Sequence, residues 1–346
     1  MKLGLSIENV GAAQLQLPLE KIQLAERLGY DSVWTAEAYG SDAITPLAYV
    51  AARTERIRLG TGIMQLAGRA PAMAAMQVAT VDALAGGNRF IAGLGVSGPQ
   101  IVEGWYGEPW GRPYYRIKDY VAIMRKVFRR EAPVIHEGVE ISLPYTGEGA
   151  LGVGKPLKSI LHMNPDIPIW LGCGTETNVR LAGEIADGLL PMGFVPGSME
   201  IYRPWLEEGF ARAGSGKSFA DFEIQGSARV VITNDVKGAL QSMKPQTALY
   251  VGGMGHRDKN FHKDTMVRRG YPEAAARIQE LFLAGHRQEA IAAVPDEYLD
   301  EGALVGPVER IKDRYRAWEE SGATGITVSA DQVEALELMA DLAGTR

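Results

Sequence analysis

A glycine-rich turn carries the clearest chemistry in this sequence. Positions 171–178 read Leu-Gly-Cys-Gly-Thr-Glu-Thr-Asn and follow an apolar stretch. Thr175 is a residue type that commonly caps the start of a helix. Free backbone N–H groups at such a start, together with the helix dipole, bind phosphate groups. We therefore expect Gly172, Cys173, Gly174 and Thr175 to form a phosphate-binding turn. The alternative is an ordinary tight turn between a strand and a helix.

A second apolar run, 90–95, also ends in glycine and stops at Ser97-Gly98-Pro99. A buried strand ends in this way where the backbone must approach a ligand. A helix cannot begin before the proline, so this turn exposes N–H groups. The turn over Ser97 and Gly98 is therefore expected to face a ligand.

Acidic and hydroxyl side chains follow the first two predicted strands. They are Glu8, Glu37, Tyr39 and Asp42. A charged residue at the end of a buried strand is costly unless it is paired or functional. We expect Glu37 to assist proton transfer or to orient a substrate. The structural alternative is an ion pair with a loop arginine such as Arg69 or Arg112.

Other reactive residue types are sparse. Cys173 is the single cysteine, which excludes an intrachain disulfide and fits a reducing cytoplasm. No histidine lies near it in sequence, so we do not expect it to be a nucleophile. The five histidines lack metal-ligand spacing, and no metal site is predicted. His162 is a minor candidate for a base.

The composition is that of a globular protein with a large core. The chain has 346 residues, of which 46% are hydrophobic and 23% charged, and a formal net charge of -6. The chain has no run of five or more lysine or arginine residues, so we expect no nucleic-acid partner. No signal peptide or 18-residue uncharged apolar stretch is present, so we expect a cytoplasmic protein without a membrane span.

Strand and helix patterns alternate along the chain. Strands are predicted at 2–7, 31–35, 57–62, 90–95, 167–172, 188–191, 222–232 and 325–328. Helices are predicted at 17–28, 43–53, 71–85, 114–128, 176–186, 198–213 and 332–343, with two more at 272–283 and 307–320.

Eight strands separated by helices predict an α/β fold, a (β/α)8 TIM barrel, with an open doubly wound sheet as the alternative. Two connections are too long for simple loops, at about 131–166 after strand 4 and 233–324 after strand 7. We expect a single domain, 1–346, whose ligands bind at the carboxyl ends of the strands. Trp34 and Trp170 are expected to pack inside it.

Several segments together resemble the bacterial luciferase-like superfamily, and within it the actinobacterial oxidoreductases that use the deazaflavin coenzyme F420. The segments are 32–42 (Ser-Val-Trp-Thr-Ala-Glu-Ala-Tyr-Gly-Ser-Asp), 59–63 (Leu-Gly-Thr-Gly-Ile), the block 89–107, and 187–191 (Asp-Gly-Leu-Leu-Pro). The resemblance implies a single-domain barrel enzyme, a homodimer, that moves a hydride between the deazaflavin C5 and a small organic substrate.

The resemblance also implies how the cofactor is held. The peptide Gly62–Ile63 would be a non-proline cis bond behind the deazaflavin ring, and Gln65 would lie near the polar edge of that ring. Ser97 and Gly98 would contact the linker or its phosphate, and the turn 172–175 would hold the phosphate. Arg69, Arg112 and Arg116 would neutralise the polyanionic tail.

The resemblance identifies the catalytic residues less completely than it identifies the cofactor contacts. Glu37 and Tyr39 match a position where some relatives carry an Asp-His pair. Relatives that oxidise sugar phosphates carry Gly-Glu after strand 4, and the carboxylate of that glutamate acts as an acid. This chain has Gly98-Pro99 there, so the role of the acid is vacant or passes to Glu103 or Glu37. Two alternatives stay open. One is an FMN-dependent monooxygenase that uses reduced flavin and oxygen, and the other is a deazaflavin-binding protein without turnover.

Overall fold

Eight parallel strands close into a barrel in the computed structural model, which describes residues 1–7 and 14–346. The strands are β1 (Lys2–Ile7), β2 (Ser32–Thr35), β3 (Arg58–Thr61), β4 (Phe90–Gly95), β5 (Ile169–Cys173), β6 (Gly188–Pro191), β7 (Glu223–Ile232) and β8 (Gly325–Ser329). Each strand pairs with the next, and β8 pairs with β1, always in parallel. The predicted (β/α)8 TIM barrel is confirmed, and the open sheet is wrong.

Fourteen helices are found in the described residues. They are α1 (Leu19–Arg27), α2 (Ile44–Ala51), α3 (Pro71–Leu84), α4 (Pro99–Val102), α5 (Pro113–Arg129), α6 (Glu176–Ile185), α7 (Met199–Ala213), α8 (Val236–Gly253), α9 (Phe261–Arg268), α10 (Pro272–Leu283), α11 (Arg287–Ala292), α12 (Asp296–Glu301), α13 (Val308–Glu319) and α14 (Val333–Ala343). Every predicted element is present, and its ends lie within two residues of the prediction.

The barrel interior is filled by large side chains. The Trp34 and Trp170 rings lie 5.3 Å apart and pack with Ile91 in a small apolar cluster, as expected. Gly60 and Gly188 make room for these rings, because a Cβ on Gly188 would lie 2.6 Å from Trp170. This packed interior gives the site above it a rigid base.

Both long connections carry structure of their own. The first forms a small antiparallel hairpin, in which His136–Glu137 pairs with Ser142–Leu143, and it is tied to α5 through Asp119. The second carries α8 to α13, and α8, α9 and α10 share an apolar cluster separate from the main core. The connection between α8 and α9 lies over one end of the barrel, where it contacts Tyr39 and Gln100.

Two negative findings apply to residues 1–7 and 14–346. No helix there is both long and apolar enough to cross a membrane. In the same residues, no group of three or more histidine, cysteine, aspartate or glutamate side chains could hold a metal ion.

Candidate active site

A pocket of about 290 Å³ lies at the carboxyl ends of the barrel strands. It is enclosed by the turns that follow β2, β3, β4 and β5 on one side and by α8 and α9 on the other. The wall includes Glu37, Ile63, Gln65, Ser97, Gly98, Cys173, Gly174, Thr175, Met254, Lys259, His262 and Arg268. Most of the residues predicted to bind a cofactor therefore meet in one cavity, as a barrel of this type requires.

Ile63 forms part of the pocket wall. The Gly62–Ile63 peptide is cis, as the resemblance implied. A Cβ on Gly95 would lie 2.8 Å from Ile63 Cδ1, and a Cβ on Gly172 would collide with Ile63 Cγ2. The glycines that end β4 and β5 therefore make room for Ile63. Their predicted role, to let the backbone approach a ligand, stays a prediction.

We predict that Gly172→Ala weakens cofactor binding by at least tenfold, since overpacking at a close contact typically costs about 1–3 kcal/mol. The added methyl group would push Ile63 into the pocket. The double variant Gly172→Ala, Ile63→Ala should recover part of the affinity, because it removes the atom that collides. Equilibrium binding of the two variants and of Ile63→Ala measures this coupling. If Gly172→Ala lowered cofactor affinity equally in the native chain and in Ile63→Ala, the coupling would be contradicted.

Gln65 presents an unsatisfied acceptor. Its side chain is 2% exposed, and its Oε1 atom has no hydrogen-bond partner among the described residues. Its Nε2 donates to the backbone oxygen of Glu37 at 2.8 Å, which fixes which end of the amide is free. A buried carbonyl oxygen without a partner is costly, so a ligand N–H group would fit here.

Glu37 is held by Arg69. Arg69 Nη2 donates to Glu37 Oε1 at 2.6 Å and Nη1 donates to Oε2 at 3.0 Å, and both side chains are nearly buried. Burial by itself would lower the pKa of Arg69, but the hydrogen bonds and charge of Glu37 raise it. Tyr106 also donates to Glu37, at 3.4 Å. The structural alternative of the sequence analysis, the ion pair with Arg69, is therefore present. The catalytic role of Glu37 stays a prediction.

The other predicted acid–base residues lie elsewhere. Tyr39 is 53% exposed, with its hydroxyl 3.8 Å from Met254 Sδ, and Glu103 is exposed at the end of α4. Neither lines the pocket. Asp42 accepts hydrogen bonds from the backbone N–H groups of the first turn of α2, so it acts as a helix cap. Glu8 lies outside the described residues.

Thr175 stands at the N-cap position of α6 with an extended backbone. Its side chain accepts no hydrogen bond from the helix in the described part of the chain, so the expected threonine cap is absent and the first N–H groups of the helix stay open. A Cβ on Gly174 would lie 3.6 Å from both Arg268 Nη1 and Tyr202 Oη, so the guanidinium reaches this turn. Arg268 Nη1 is buried without a partner among the described residues. A cation beside free N–H groups fits a phosphate.

Cys173 and Ser97 complete this side of the pocket. Burial raises the pKa of Cys173 to about 12, so its thiol stays protonated at neutral pH and is a poor nucleophile. Ser97 has a φ of 60°, a left-handed conformation that a residue other than glycine adopts at a cost. Pro99 begins α4, so the open turn that precedes it contributes Ser97 and Gly98 to the wall.

The arginines expected to neutralise a polyanionic tail are already paired. Arg69 is bound to Glu37, and both Arg112 and Arg116 form ion pairs with Glu140. Lys259 and Arg268, which the sequence analysis did not single out, supply the positive charge of the pocket wall instead. His162 bonds to Arg130 in the first excursion and does not line the pocket.

Comparisons with known proteins show relatives along nearly the whole chain. Residues 6–325 match the family model "Luciferase-like monooxygenase". The chain is 46% identical over 343 residues, 99% of both chains, to "Putative coenzyme F420-dependent oxidoreductase Rv3520c" of Mycobacterium tuberculosis. It is 24% identical over 92% of both chains to a 5,10-methylenetetrahydromethanopterin reductase of Archaeoglobus fulgidus.

The fold comparison supports the barrel architecture. The solved structure of the coenzyme F420-dependent tetrahydromethanopterin reductase of Methanopyrus kandleri superposes with a TM-score of 0.77 at 24% identity, over 98% of this chain and 97% of the other. Together with the family match along most of its length, this shows that the chain belongs to the luciferase-like monooxygenase family of enzymes.

Proposed function

We propose that this protein is a coenzyme F420-dependent oxidoreductase that exchanges a hydride between the deazaflavin C5 and a small organic substrate. The observation that carries the proposal is the pair of unsatisfied polar atoms in one pocket, Gln65 Oε1 and Arg268 Nη1. They fit the N–H edge of a flat ring and a phosphate, respectively. The name of the 46% identical relative supports the choice of deazaflavin.

The residues of the pocket have distinct tasks in this proposal. Bound F420 would supply a hydride carrier at C5. Ile63 supports the ring from behind, and Gln65 orients it through its free carbonyl oxygen. Arg268 and the N–H groups at Gly174 and Thr175 hold the phosphate. Val96, Ile101 and Met254 add apolar surface that keeps water from the reacting carbon.

An anaerobic assay separates hydride transfer from oxygen chemistry. Reduced F420 is mixed with the protein and a panel of enones, ketones and imines in the absence of oxygen, and its reoxidation is followed by absorbance. The proposal expects turnover with at least one compound of the panel. Turnover that requires oxygen and accepts reduced FMN would instead assign the chain to the monooxygenases of its family. Binding of F420 without turnover would favour a binding protein.

We also propose that the protein is a homodimer that pairs through α2 and α3. The outward face of α3 exposes Met73, Met76 and Leu84 by 48%, 51% and 75%, and Tyr49 of α2 is 46% exposed. Apolar side chains grouped on one helix face commonly mark an interface. Sedimentation velocity is expected to give twice the chain mass of 37.5 kDa. A monomer at micromolar concentration would contradict this.

A further inference from the structure

His262 is a polar pocket residue that the proposed cofactor contacts leave unused. Three other residues that could contact a substrate are committed or unsuited. Glu37 is bound to Arg69, the Cys173 thiol is buried and protonated, and Asp264 is exposed at the pocket rim. His262 lines the pocket from the first turn of α9, on the side that faces the barrel turns.

The position of His262 is fixed by a buried amide. Asn260 is 3% exposed, and its Nδ2 donates to the backbone oxygens of Val251 at 2.8 Å and Tyr250 at 3.1 Å. Its Oδ1 accepts from the backbone N–H of His262 at 2.9 Å and of Lys263 at 3.1 Å. All hydrogen-bonding capacity of the amide is thus spent on joining α8 to α9, which holds His262 in a preorganised place.

The imidazole itself has no hydrogen bond to any side chain or backbone group in residues 1–7 and 14–346. It packs edge to face against Tyr250, with ring centroids 4.6 Å apart. Burial lowers the pKa of His262 to about 4, so the ring is neutral at physiological pH. A neutral imidazole carries one N–H donor and one acceptor nitrogen, and in the half-buried His262 side chain both are available to a ligand in the pocket.

We propose that the imidazole of His262, which lines the pocket and is held in place by Asn260, hydrogen-bonds the oxygen of a neutral carbonyl or hydroxyl substrate. This proposal rests on the proposed function, because it assumes that the deazaflavin ring lies against the barrel turns and that the substrate oxygen lies on the opposite side of the pocket. A neutral donor polarises a carbonyl without requiring the burial of a charge. The neighbouring Met254 and Phe261 suit an apolar carbon skeleton around that oxygen.

A charged substrate is the competing possibility. Lys259 and Arg268 line the same pocket and would attract a carboxylate. Lys259 lies over the Trp110 ring, with its Nζ atom 4.8 Å from the ring centroid, and Arg268 is turned toward Gly174 and Tyr202. Since Lys259 lies over an aromatic ring and Arg268 is assigned to the cofactor phosphate, His262 is left to contact a neutral ligand.

The test follows the imidazole ¹⁵N signals of the cofactor-free protein by NMR. The chain has five histidines, and the signal missing in His262→Phe identifies His262. Cyclohexanone is titrated as the probe, with methylcyclohexane and cyclohexanecarboxylate as matched controls. The proposal expects a saturable shift of the His262 signal with cyclohexanone and not with methylcyclohexane. His262→Phe should bind cyclohexanone about tenfold more weakly, and His262→Gln, which keeps a donor, within about threefold of the native chain.

Two results would overturn the proposal. One is a His262 signal that stays in place with cyclohexanone or moves equally with methylcyclohexane. The other is tighter binding of cyclohexanecarboxylate than of cyclohexanone. A separate titration with F420 should give affinities within about twofold for the native chain and His262→Phe. Failure of the native chain to bind F420 would overturn the proposed function. The response of the His262 signal to cyclohexanone would still test the hydrogen bond independently.

Discussion

Glu37→Gln is expected to lower the free energy of unfolding by about 3–5 kcal/mol. The substitution leaves the Arg69 guanidinium buried without its counter-charge, and removal of one partner from a buried ion pair is among the most costly single changes. Chemical denaturation monitored by tryptophan fluorescence measures the effect. The double variant Glu37→Leu, Arg69→Met should be more stable than Glu37→Gln, because no unpaired charge remains.

An exposed ion pair provides the matched control. Glu309 pairs with Lys312 on α13 and its side chain is 82% exposed, so Glu309→Gln should change stability by less than about 0.5 kcal/mol. If Glu37→Gln kept native stability and cofactor affinity but lost turnover, the carboxylate would be a proton-transfer group, as the sequence first suggested. If Glu37→Gln lost both stability and cofactor affinity, Glu37 would instead be a positioning residue that holds Gln65 in place.

Arg268→Met is expected to weaken binding of F420 by about 100-fold. A hydrogen bond to a charged group contributes about 1.5–3 kcal/mol, and the loss of the guanidinium also removes the charge opposite the phosphate. The buried and unpaired Nη1 atom beside Gly174 carries this expectation. Titration followed by the intrinsic fluorescence of the cofactor measures the affinity.

Two controls show whether the phosphate is the group that Arg268 binds. The deazaflavin riboside that lacks the phosphate should bind the native chain and Arg268→Met with equal affinity. Arg277→Met, which removes an exposed guanidinium from α10, should leave F420 binding unchanged. An equal loss of affinity for the cofactor and the riboside would place Arg268 against the ring or in a purely structural role.

The barrel was predictable because each of its elements is encoded locally. Apolar runs such as 90–95 and amphipathic runs such as 114–128 alternate with the periods of strands and helices, and glycine or proline marks their ends. The turn 172–175 was predictable for the same reason, since a strand, two glycines and a threonine lie next to one another, although the side chain of Thr175 does not form the expected cap. The resemblance added the cis peptide at Gly62–Ile63, which no local pattern indicates.

The remainder of the site depends on contacts between distant parts of the chain. His262 and Arg268 reach the pocket from an excursion about 90 residues past the turn 172–175, and neither stands in a spacing that indicates a site. The helix α9, which carries both residues, was not among the predicted helices. The choice of Arg69 rather than Arg112 as the partner of Glu37 follows from the path of two loops, which sequence periodicity does not determine.

We propose above that the pocket binds a deazaflavin and uses it for hydride transfer. A side-by-side titration of the purified protein with coenzyme F420 and with flavin mononucleotide, followed by intrinsic cofactor fluorescence, tests it most directly. We predict micromolar or tighter binding of F420 and much weaker binding of flavin mononucleotide. Preferential binding of flavin mononucleotide would contradict the account and assign the protein to an oxygen-using monooxygenase.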